Sequence, residues 1–123
     1  MINNPSVPKA QEGLWLWMFK VFAGLMIIII LGIHLVINHL VAPGGLLSYH
    51  DVIQYYSNWI IPTMEIFFLV FVVSHSLVGV RSILLDLNPL QKVLRLVDIG
   101  LYLLGCVSIV YGIWLVLVIA SRA

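Results

Sequence analysis

Of 123 residues, 63% are hydrophobic and only 9% charged, and the formal net charge is +1. Such a composition, with the charges gathered between long apolar runs, excludes a water-soluble globular domain and gives no basic footprint for nucleic acid. The single cysteine, Cys106, lies within an apolar run, which excludes an internal disulfide and disfavours a thiolate metal site.

Three runs are long enough to cross a hydrocarbon core, which takes roughly 20 helical residues: 14–41, 59–85 and 97–120. None shows sustained period-2 alternation, so helices rather than a barrel must satisfy the backbone in lipid. The polar start, MINNPSVPKAQEG, is not rich in arginine and reads as neither a signal nor a transit peptide. Pro43-Gly44-Gly45 stops the first span. Ser48, followed three residues later by Asp51, reads as a capping box opening a short interfacial helix over 49–56. Pro62 falls in the first turn of the second span, where a missing N–H costs little. Asn88-Pro89 marks the turn into the third.

Lys9 and Lys20 precede or open the first span, and Arg81, Lys92 and Arg95 surround the second loop, whereas residues 42–58 contain no lysine or arginine. The positive-inside rule therefore places the N-terminus and second loop in the cytoplasm and the first loop and Arg122 outside. The expected fold is all-α: a single domain of three transmembrane helices, N-in and C-out. Trp15, Trp17, Trp59 and Trp114 lie toward the run ends, as interfacial anchors do.

Polar groups inside the spans are costly and tend to face partners. His34 and His75 are the two deep histidines. Counted from the run midpoints they differ in depth by roughly 13 Å, so they cannot ligate one iron. If each holds a haem, the second axial ligand at each level comes from another subunit, because this chain offers no other histidine there. A histidine that only bridges neighbouring helices is the competing reading. On the helix of His75, residues Gly79, Ser82 and Asp86 all fall within about 40° of it. Gly79 clears room for a flat macrocycle, and Arg81 offers a cation to haem propionates. On the first span Lys20, Ala23, Ile27 and Asn38 share the stripe of His34. His39, about 140° round from His34, and loop residue His50 read as surface groups. Glu65 opens the second span, where a helix N-terminus favours an anion; its alternative is a partner to His39 or to a group near an outer haem.

The run His75-x3-Gly79-x-Arg81-x4-Asp86, in the second span of a three-span chain, resembles the cytochrome b membrane-anchor subunits of succinate dehydrogenase and fumarate reductase. The resemblance covers most of the chain. It implies that two three-helix anchors pair into a haem-binding bundle, with His75 ligating the haem nearer the cytoplasm. In diheme members first-helix histidines serve the outer haem, and Leu31-Gly32-x-His34 with Asn38 is similar to that pattern. The chain lacks the Arg/Lys-Pro-x-Ser-Pro-His stretch usual in one anchor type, and Leu87 stands where the other type often has a quinone-contacting tyrosine. C-type and D-type therefore both stay open.

The resemblance implies a diheme anchor in a bacterial inner membrane, passing electrons between an iron–sulfur subunit and quinone. His75 and His34 are the expected axial ligands of two b-type haems. Arg81, Gly79 and Lys20 are expected at propionate or haem-packing positions, and Asp86 and Ser82 at the quinone. The expected partners are a second anchor, the iron–sulfur and flavoprotein subunits, lipid and quinone. The dicarboxylate and flavin sites belong to the soluble subunits. Two other classes remain: a haem-free structural anchor, and a small transporter subunit with a proton path through His34, Glu65, His75 and Asp86.

Overall fold

A computed structural model describes residues 13–41, 44 and 47–123. The N-terminal stretch with Lys9, and Pro43 and Gly45 of the expected helix stop, lie outside the described residues.

Every regular element among the described residues is helical. Helix α1 spans Leu14–Leu35 and continues without a break into a π-helical segment, Val36–Val41. A short helix α2, Tyr49–Tyr56, is followed by the long helices α3, Ile60–Asp86, and α4, Gln91–Ala120. The three long elements each have the length and apolarity to cross a membrane. Helices of this length and apolarity satisfy their own backbone groups in lipid, so this is a multi-pass membrane protein.

Local chemistry explains the boundaries. Ser48 N donates to Asp51 Oδ2 at 2.8 Å and Asp51 N donates to Ser48 Oγ at 3.3 Å, closing the capping box of α2. The hydrogen bonds from Ser48 also hold the Asp51 carboxyl below the usual carboxylate range. Asn58 Oδ1 accepts from Ile60 N at 3.1 Å at the start of α3. At its other end Asn88 takes a left-handed φ of 50°, its N–H bonds Leu85 O at 3.0 Å, and Pro89 prevents continuation. Helix α4 starts at Gln91, six residues before the apolar run does. Gln91, Lys92, Leu94 and Arg95 have good helix propensity, so the helix extends beyond the hydrocarbon-matched segment into a polar first turn and a half.

The long helices form an open row. Helix α3 packs against α1 on one side and α4 on the other, and among the described residues α1 and α4 do not touch. Helix α2 packs against α3 and α4, and Arg122 Nη1 donates to Tyr49 OH at 3.4 Å just beyond the end of α4. The seams use small residues. A Cβ on Gly105 would stand 2.6 Å from Leu77 Cδ1, and the Leu69 side chain fills the same space beside Gly112. Ala23, at the α1–α3 seam, and Gly105 are buried, whereas most large apolar side chains point outward. So much exposed apolar surface calls for lipid and a protein partner around the row.

Candidate functional site

The candidate site runs along the seam between α1 and α3. These helices are antiparallel, so the start of α1 meets the end of α3, and two levels of polar contact result.

At the inner level the His75 ring crosses to α1. Its Nδ1 lies 3.1 Å from the backbone oxygen of Lys20. A carbonyl can only accept, so Nδ1 is the donor in this bond and Nε2 is the ring nitrogen that it leaves over. The ring lies over Gly24, where an added Cβ would come within 3.2 Å of His75 Cε1. Lys20 engages α3 a second time, Nζ donating to Ser82 Oγ at 2.9 Å, while Ser82 Oγ donates to Val78 O at 2.9 Å. Phe22 and Phe71 meet edge to face at 6.0 Å on the same seam. One turn beyond His75, the space beside Gly79 is open, with nothing within 4 Å of a built Cβ.

The outer level repeats the arrangement with a different acceptor. His34 Nδ1 lies 3.1 Å from Glu65 Oε1, and the ring is stacked with Phe68 at 6.1 Å between centroids. Glu65 therefore partners His34 rather than His39, which is exposed on the π-helical segment. His34 and Glu65 line a cavity of about 330 Å³ with Asn38, Leu47, Val52, Tyr55 and Tyr56. The Tyr55 hydroxyl is buried there without a hydrogen-bond partner among the described residues. Burial, and secondarily the charge of Glu65, pushes the Tyr56 phenol up to about 12 and raises Tyr55 in the same direction.

Along α3 the two levels are the distance from residue 65 to residue 75, about 15 Å at 1.5 Å per residue. The remaining expected site residues divide between the seams. Lys20, Ser82 and Gly79 gather at the inner level with His75. Arg81 turns the other way, onto α4, where Nε and Nη2 donate to Asp98 at 2.7 and 3.1 Å. Asp86 is exposed as the last residue of α3 and does not join that pair.

Several contributors escaped the sequence reading. Gly24 lies off the stripe drawn around His34, because it serves the level of His75. Asp98 does carry a sequence signal, an acid inside a predominantly apolar helix, which needs a partner in the membrane. Phe68 and the tyrosine pair carry no signal apart from the fold.

The donor set suits a haem iron. Each deep histidine commits Nδ1 to an acceptor of its own chain and keeps Nε2 for a ligand, as metal-bound histidines do. Each level supplies one such nitrogen, and among the described residues no three metal-ligating side chains converge. Axial ligation by one histidine per chain needs no such convergence.

A sequence family described as succinate dehydrogenase/fumarate reductase transmembrane subunit matches residues 4–119. This chain belongs to that family. It is a transmembrane subunit of the succinate dehydrogenase/fumarate reductase type, and the match leaves C-type and D-type unresolved. Comparison with curated proteins and with solved structures returns no match.

Proposed function

We propose that this anchor binds two b-type haems between itself and a second anchor subunit, and carries electrons between an iron–sulfur subunit and membrane quinone. His75 is the ligand at the inner level and His34 at the outer. The observation that carries the reading is the matched state of the two rings, each with Nδ1 committed at 3.1 Å and Nε2 left to bind. Bound there, haem supplies one-electron transfer across the span between the two levels.

The chain's own residues prepare those positions. Lys20 holds His75 through its carbonyl and holds the helix of His75 through Ser82, while Gly24 leaves room for the Cε1 edge of the ring against α1. Gly79 leaves a surface for a planar group, and Lys20 brings a cation to the inner end for propionates, whereas the charge of Arg81, expected there too, is engaged by Asp98 on α4. Asp86, with Ser82, is proposed to face quinone at the cytoplasmic boundary, where a carboxylate can exchange protons with water. Dicarboxylate chemistry belongs to flavoprotein and iron–sulfur partners bound on the cytoplasmic side of a bacterial inner membrane.

The test is a haem count with reduced-minus-oxidised spectra on the purified complex. His75→Ala and His34→Ala should each remove one different b-type component. Two b-type components retained in both variants would overturn the ligand assignment.

A further inference from the structure

The two histidines hydrogen-bond at the same length to chemically different acceptors. His75 faces a neutral backbone carbonyl and His34 a carboxylate, both at 3.1 Å. Glu65 is the better shielded member of its pair, its side chain 15% exposed against 35% for His34. Phe68 stacks on the ring and keeps it in the plane that meets the carboxylate.

From this contrast we infer that Glu65 is a positioning residue that lowers the reduction potential of the outer haem by acting through His34. The inference rests on the proposed ligation of an outer haem by His34. A carboxylate accepting from the non-ligating nitrogen makes an imidazole a stronger electron donor than a carbonyl does, and fixes its tautomer and orientation. Stronger donation favours the oxidised iron, so the potential at the outer level falls. Lys20 acts in the same sense on the difference. Its ammonium stands at the inner level, where positive charge disfavours the more cationic oxidised iron. The chain thereby gives its two proposed ligands unequal donor strength through their acceptors, a carboxylate for His34 and a carbonyl for His75.

The whole complex should be purified with the native chain and with Glu65→Gln, Glu65→Asp and His34→Ala. Haem is counted chemically, and redox titration is followed in the visible b-type bands at fixed pH, with low-temperature EPR of the low-spin signals. The component absent from His34→Ala identifies the outer haem. If none is absent, the ligand assignment fails, and the inference about Glu65 falls with it. With that component identified, Glu65→Gln should retain both haems and shift the outer midpoint to more positive potential, leaving the inner midpoint in place. Glu65→Asp should move the midpoint back toward the native value. Loss of the outer haem from Glu65→Gln with retention in Glu65→Asp also supports a carboxylate requirement. An unchanged outer midpoint in Glu65→Gln, an equal shift of both midpoints, or loss of the outer haem from Gln and Asp variants alike would overturn it.

Discussion

Gly24 makes the most demanding test of the inner level. In Gly24→Ala the new Cβ would stand 3.2 Å from His75 Cε1, whereas carbon atoms rest at about 3.5–4.0 Å. Something must yield by about 0.3–0.8 Å. The Lys20–Ser82 bond ties α1 to α3 at this level, so the ring gives way more readily than the helix. Its Nδ1 already sits 3.1 Å from Lys20 O, and the same displacement carries it beyond the roughly 3.2 Å limit of a good N–H···O bond. Losing that bond costs about 0.5–1.5 kcal/mol, about a two- to tenfold change in the balance between held and released ring. The expected result is lower inner-haem occupancy and a broadened or shifted low-spin EPR signal, with the outer haem unaffected. Gly100→Ala is the control, because nothing lies within 4 Å of a Cβ there. An inner haem of native occupancy, spectrum and potential in Gly24→Ala would refute the contact and the reasoning built on it.

Gly105→Ala should lower the thermal stability of the complex by about 1–3 kcal/mol through overpacking against Leu77, and a second change, Leu77→Ala, should recover part of the loss. Arg81→Ala and Asp98→Ala should each destabilise the α3–α4 seam. The double variant should be no worse than the poorer single one, a coupling of about 1 kcal/mol that a denaturation cycle measures. Because Tyr56 is raised to about 12 and Tyr55 is also raised, tyrosinate absorbance should show both phenols ionising late. The stability contribution of Tyr56 is full below about pH 10, where the unfolded phenol is still protonated, and is lost as pH rises toward about 12. Asp86→Asn should slow quinone reduction while dye-coupled succinate oxidation and both haems stay native; equal loss of both activities, or of neither, counts against a quinone role.

The three membrane spans, the surface helix and the turn at Asn88-Pro89 were legible because each rests on chemistry within a few residues. Run length, the Ser48–Asp51 box and a left-handed asparagine before proline need no tertiary information. The start of α4 was not legible from apolarity, since a helix does not end where the hydrocarbon does. Nor was the π-helical segment, and the angle between His34 and His39 drawn for an ideal α-helix does not carry through it. The pairing of side chains was legible only as far as one helix face extends. His75, Gly79 and Ser82 could be grouped on a wheel, but the acceptor for His75 is a backbone carbonyl on another helix, invisible to any pattern of side chains. Arg81 shows the same limit, because its acid stands on α4 rather than four or five residues along its own helix.

The open row explains why a small chain carries so much of its site ready-made. With α3 as the one long helix packed against α1 and against α4 among the described residues, the row of three long helices does not enclose a cofactor. Yet the internal bonds of the seam already fix the tautomer and direction of both proposed ligands. Ordering the imidazoles within the lone chain removes that entropic cost from the later step, when haem and a second anchor come together. On the proposed ligation, haem binding free energy is shared with subunit association, since an iron held by one histidine from each chain binds the pair and not either chain alone. Weakening the Lys20 carbonyl contact or the Glu65 contact should therefore loosen the pairing of the anchors as well as the haem. The two effects should stay at separate levels, because the contacts are about 15 Å apart along α3 and share no side chain.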